Sequence, residues 1–156
     1  MRLILIVFIV ASFISGCKKE DSPLAPTETQ QLTVKVENDS LVFSLAIPKA
    51  FYALGDTLNA RFAIENKTNH LITFPFDSSD IYYSVVNDSS RTIMSYPKQL
   101  VGNGFFAVLP MGGHAFTIVD QLHDDLNIPI HAGPYKISVR VEAPTTPTLS
   151  LMFTVR

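Results

Sequence analysis

From Leu32 onward, apolar positions recur at every second residue. Leu32, Val34 and Val36 alternate with Thr33, Lys35 and Glu37, and Leu41, Phe43, Leu45 and Ile47 form a second stripe. Leu58, Ala60, Phe62 and Ile64 alternate with Asn59, Arg61 and Glu65. Tyr135, Ile137, Val139 and Val141 make a fourth stripe, and Leu149, Leu151, Phe153 and Val155 a fifth. A period of two puts apolar side chains on one face of a strand and polar ones on the other. Shorter apolar runs predict weaker strands at Leu71–Phe74, Ile81–Asn87, Thr92–Ser95, Phe105–Leu109 and His114–Asp120.

Turn-forming residues fill the gaps: Asn38-Asp39-Ser40, Leu54-Gly55-Asp56, Asn66-Lys67-Thr68-Asn69, Asp77-Ser78-Ser79, Asn87-Asp88-Ser89-Ser90 and Pro110-Met111-Gly112-Gly113. No segment carries a long, capped helical pattern. One-sided strands joined by short turns predict an all-β chain, an antiparallel Ig-like β-sandwich of about 8 strands over residues 32–156. The immunoglobulin Cys…Trp…Cys signature is missing, because the chain has one Cys and no Trp.

The stretch ahead of the domain reads differently. Met1-Arg2 is followed by an uncharged apolar run from Leu3 to Ser15, then Gly16 and Cys17. A positive start, a short apolar run and small residues before a cut make a secretory signal over residues 1–16. The run falls short of the roughly 20 residues of a membrane span. Ile14-Ser15-Gly16-Cys17 resembles the lipobox of bacterial lipoproteins. The resemblance implies cleavage between Gly16 and Cys17, and acylation of Cys17. Several acyl chains hold a protein on a membrane where one does so only marginally. Lys18-Lys19-Glu20-Asp21 and the Pro-containing stretch Ser22–Gln31 then read as a flexible tether, so residues 17–31 are lipidated cysteine plus linker. Lys18–Gln31 could extend up to roughly 45–50 Å.

Composition narrows the function. The chain has 156 residues, 47% hydrophobic and 17% charged, which is apolar enough for a packed core. Its net charge of −2 comes without a basic cluster, which argues against nucleic-acid binding. A single cysteine cannot form an internal disulfide, so the fold rests on burial.

Catalytic chemistry finds no pattern to use. No Gly-x-Ser-x-Gly elbow or phosphate-binding glycine loop occurs. Asp120, His123, Asp124, Asp125 and His131 could supply metal ligands, but none of the usual His spacings is present, so no metal and no cofactor is expected. The reading is therefore of a protein that is not an enzyme. Sandwiches bind through end loops and through edge strands. The candidate binding loops carry Asp77, Asp80, Asp88, Arg91, Lys98, Leu100, His123 and Asp124.

The folded part has a second resemblance. Tyr52 with Gly55-Asp56, Leu58–Ile64 running into Glu65-Asn66-Lys67-Thr68, Ile72-Thr73-Phe74 with Asp77-Ser78-Ser79, Tyr82–Asp88, Leu109–Gly113 and Gly133-Pro134-Tyr135-Lys136-Ile137 follow one another in order. This order resembles the intracellular proteinase inhibitor family, BsuPI, a β-sandwich family of about this length. The resemblance runs from Tyr52 to Val141 and implies the sandwich fold and protease inhibition.

Export signal, lipobox and domain together lead to one expectation. The chain is a lipid-anchored protein of the bacterial cell envelope, held at the outer membrane through lipid on Cys17. Its sandwich is a non-catalytic binding or assembly module for an envelope protein or glycan. Proteinase inhibition is the alternative.

Overall fold

A computed structural model describes residues 30–76, 81–97, 104–141 and 146–156. Among the described residues eleven strands run in chain order: β1 Leu32–Glu37, β2 Leu41–Ile47, β3 Phe51–Tyr52, β4 Thr57–Asn66, β5 Ile72–Phe76, β6 Tyr82–Asn87, β7 Thr92–Tyr96, β8 Gly104–Val108, β9 Gly113–Gln121, β10 Gly133–Arg140 and β11 Leu149–Val155. They form a four-stranded sheet β1-β2-β4-β9, a five-stranded sheet β3-β11-β10-β6-β7 and a separate pair β5-β8. Every segment that the alternation and the shorter apolar runs predict has a strand, Leu71–Phe74 and Phe105–Leu109 lying in β5 and β8; the two-residue β3 has no predicted counterpart, and the two main sheets without it hold eight strands.

The inner faces follow the sequence stripes. Phe43, Leu45 and Ile47 from β2 and Leu58, Phe62 and Ile64 from β4 meet Val85, Ile137, Val139, Leu149, Phe153 and Val155 from the other sheet. Each is fully or almost fully buried, and burying one such side chain contributes about 1.5–3 kcal/mol. Between these residues, the intervening side chains of β2 and β4 point outward, as strand geometry requires.

The antiparallel expectation holds for every ladder except one. β3 pairs in parallel with β11, with Thr154 beside Phe51 and Val155 beside Tyr52. Two residues of backbone after Ala50 suffice, because Thr154 and Arg156 donate to the carbonyls of Ala50 and Tyr52. No side-chain pattern marks so short a strand.

Two corners are set by single residues. Gly55 has φ +81° in the turn that Asp56 N–H closes on the Ala53 carbonyl. That left-handed angle suits glycine. Tyr135, the third residue of β10, is buried, and its hydroxyl donates to the His131 carbonyl at 2.8 Å. A tyrosine bonding back to the backbone a few residues upstream is a recurring sandwich corner.

Candidate functional site

The strand registers define two ends of the sandwich. Leu32 lies beside Ile47, and Thr57 beside Gln121, so the chain enters at the end that carries the turns at Asp56, Asp88 and Asp124. Glu37, Asn66 and Gly113 lie at the opposite end.

Four of the candidate binding residues meet at the entry end. Asp88 stands exposed in the turn after β6. Asn87 shapes that turn, its side-chain oxygen accepting from Arg91 N–H at 2.9 Å. Arg91 reaches the long β9–β10 loop, where its Nη2 contacts Asp124 Oδ2. Asp124 is only 3% exposed. The guanidinium, followed by the Leu126 N–H that donates to Oδ1 at 2.8 Å, holds the Asp124 carboxyl below the usual carboxylate range against the opposing effect of desolvation. Asp125 fastens the same loop to β7: its N–H donates to the Ile93 carbonyl and its Oδ2 accepts from Ser95 N–H. His123 places Nδ1 2.6 Å from the Gln121 carbonyl and Nε2 3.2 Å from Asp125 Oδ1. Arg91 and Asp124 thus engage each other, and Asp124 is withdrawn from solvent while Arg91 stays partly exposed.

Of the carboxylates and imidazoles weighed as metal ligands, His123 and Asp125 pair with each other and the rest have other partners. Asp120 accepts from the Tyr83 hydroxyl, Asp124 faces Arg91, and the His131 backbone bonds to Tyr135. Among the described residues, no cluster of three or more such groups is placed to hold an ion. Gly16, Cys17, Asp77, Asp80, Lys98 and Leu100 lie outside the described residues.

The opposite end carries a surface that the sequence reading passed over. β5 and β8 pair from Ile72↔Val108 to Phe76↔Gly104 and form an arm. Their inward residues Phe74 and Phe106 stack at 4.9 Å, and Phe106 meets Phe116 of β9 edge-on at 5.3 Å. Alternation then turns Pro75, Phe105, Ala107 and, beyond the ladder, Leu71 and Leu109 outward. Leu71 is 54% exposed, Phe105 73%, Leu109 66% and Met111 70%.

Buried Asn66 holds this end together. Its Nδ2 donates to the carbonyls of His70 and Val108, and its Oδ1 accepts from Thr68 N–H and Oγ1–H. Met111 N–H donates to the Thr68 carbonyl at 3.0 Å and Gly112 N–H to the Leu109 carbonyl at 3.0 Å. Met111 sits at φ +50°, a left-handed angle that a side chain disfavours. The signal for this surface was in the sequence as Phe105 and Leu109-Pro110-Met111. Without knowing that β5 and β8 leave the main sheets, these residues read as ordinary strand and turn.

No protein-family profile and no curated protein matches the chain. Solved structures that the chain matches in part include a β-glucosidase of Erythrobacter marinus, at 11% identity over 81% of this chain and 16% of that one with TM-score 0.48. A β-glucosidase of Listeria innocua in complex with isofagomine gives 12% identity over 81% and 16%, with TM-score 0.43. An alkylpurine DNA glycosylase of Pseudomonas fluorescens, bound to DNA with an abasic-site analogue, gives 13% identity over 70% and 28%, with TM-score 0.47. The chain spans 16% of the length of these glucosidases, and at this level none of the likenesses bears on its activity.

Proposed function

We propose that this chain is a lipid-anchored envelope protein whose sandwich is a non-catalytic binding module. Its recognition surface is the outward face of the β5-β8 arm, and its partner is an envelope protein with a complementary apolar patch. The supporting observation is the group Leu71, Phe105, Leu109 and Met111, exposed together at the end of the sandwich away from Leu32. Clustered exposed apolar side chains on a folded domain mark interaction sites. A tether leaving from the opposite end would present this surface away from the bilayer. A photoreactive residue replacing Phe105 in the full chain should cross-link to a discrete partner in cells, while the same residue at Lys35 should not. Identical adduct patterns from both positions would refute the arm as the surface. Palmitate-analogue labelling that disappears in Cys17→Ala supports the anchor, and unchanged labelling removes it.

Protease inhibition, implied by the BsuPI resemblance, is the second reading. It is favoured by the turn Leu109–Gly112, which is apolar, exposed and pinned by the bond from Met111 to Thr68. A preorganised turn loses little entropy on entering a cleft. Titration of a serine-protease panel with micromolar protein tests it, and full residual activity throughout excludes it.

A further inference from the structure

β9 is an edge strand of the four-stranded sheet: among the described residues no strand pairs with its free side, where the Gln121 carbonyl at its end is taken by His123 Nδ1. In an antiparallel ladder, residues alternate between pairs that exchange backbone bonds and pairs whose N–H and C=O point away. The parity of β9 is fixed at both ends: Asn66 N–H donates to the Gly112 carbonyl, and Leu122 N–H to that of Asp56. Even-numbered residues therefore bond to β4. Gly113, Ala115, Thr117, Val119 and Gln121 turn their backbone groups to the free edge. None of these groups takes a backbone bond from another described residue.

The other edges are blunted. β3 has two residues. β7 has five, and its pairing with β6 shifts register between Val85 and Val86. β1 carries Lys35 and Glu37 and is packed beside β11. β9 has nine residues, an unbroken register with β4, and neither Lys nor Pro. Its one charged residue, Asp120, points inward to Tyr83. Edges normally carry several devices against strand addition, and an inward charge is one of them. On β9 that device stands alone, so it selects among strands rather than excluding all of them.

We propose that the occupant is β9 of a second copy of this chain, antiparallel about a two-fold axis at Thr117. This register pairs the outward backbone groups Thr117↔Thr117 and Ala115↔Val119 across the axis, with Gly113 facing Gln121, whose carbonyl His123 already engages. The inward side chains then fall as Phe116 against Ile118 and His114 against Asp120, an aromatic–aliphatic pair and a carboxylate–imidazole pair. Moving the axis by one residue sets Asp120 against Phe116, or His114 against Ile118. The charge on Asp120 thus penalises shifted registers and finds a partner in this one. Beside the edge, a cleft of about 280 Å³ lined by Ile81, Tyr83, Tyr96, Phe116 and Ile118 lies between the two sheets and would face its twin across the axis. His114 and Phe116 stack on Phe106 of the arm's inner face, but the pairing uses none of the outward residues Leu71, Phe105, Leu109 and Met111 and no anchor, so it stands or falls separately from the binding surface above.

Single cysteines in the full chain test it, with the wild-type chain supplying the background from Cys17. Paired backbones hold opposing Cα atoms about 5.5 Å apart, within disulfide reach. Thr117→Cys should give a disulfide dimer on mild oxidation. Ala115→Cys alone and Val119→Cys alone should not, since each lies roughly 13 Å from its own copy. A mixture of the two should cross-link. Thr117→Pro removes only an outward N–H, leaves the β4 ladder intact, and should abolish dimer in sedimentation. A monomer in all samples, equal cross-linking at Ala115 and Thr117, or Thr117→Cys joined to a different protein would each overturn the second copy as occupant.

Discussion

The Tyr83 hydroxyl donates to Asp120 Oδ2 across 3.0 Å and so ties β6 of one sheet to β9 of the other. The bond closes the side of the sandwich where the edges of both sheets lie together. Burial and then this bond raise the Tyr83 phenol above its ordinary value, and burial pushes Tyr52 up to about 12. A phenol raised in the folded state contributes stability that is full below about pH 10 and is lost as pH rises through its folded value. Tyr83→Phe should cost roughly 1–2 kcal/mol near neutral pH in urea melts. A wild-type melting temperature that falls above about pH 10 should fall less steeply in Tyr52→Phe. An equally steep fall would remove Tyr52 from the account.

The contact between Arg91 and Asp124 predicts the acid branch. The Asp124 carboxyl is lowered by Arg91, and that of Asp56 by Lys49 and the Ala53 N–H. A depressed folded value contributes stability present above the unfolded value of about 4 and lost as pH falls below it. Asp124→Asn should flatten the acid limb of a stability–pH profile. Arg91→Ala should destabilise more than Arg91→Ala with Asp124→Asn, because only the single variant leaves a buried carboxylate uncompensated. Denaturation midpoints of the three proteins check the order.

Asn66 is a packing residue in polar form. Asn66→Ala would strip the buried Val108 carbonyl and the part-buried His70 carbonyl of a donor, at about 1–3 kcal/mol. Amide hydrogen exchange should then speed up at Thr68, which donates to Asn66, and at Met111, which donates to Thr68. The β2–β4 ladder should stay protected.

Met111 separates stability from recognition. Met111→Gly relieves the left-handed strain and should leave stability unchanged or raise it by up to about 1 kcal/mol, while removing an exposed apolar side chain. Phe105→Ala should likewise stay within about 0.5 kcal/mol of wild type. Phe62→Ala, at a fully buried site, should cost about 3–5 kcal/mol. Under the proposed function, Phe105→Ala and Met111→Gly weaken partner cross-linking in protein that melts normally. Retained cross-linking in both would place recognition elsewhere.

The period-two stripes of β2, β4, β10 and β11 were legible because side-chain direction in a strand depends only on parity. Every second residue from Phe43 to Ile47 and from Leu58 to Ile64 is buried. Asn66-Lys67-Thr68 and Gly55 were legible for the same local reason, since a turn is built from its own residues. The stripes also pointed to the class of fold, because one-sided strands in a chain without a helical pattern can bury their faces only against another sheet. The tertiary structure alone decided which strands are neighbours. It set β9 at an edge, lifted β5 and β8 out of the sheets, and drew Arg91 onto Asp124. Those relations depend on hydrogen-bond partners and charges far apart in sequence, and no local period encodes them. The apolar residues of the arm and the edge of β9 look in sequence like any others. They differ in that, among the described residues, no strand or side-chain layer packs over them.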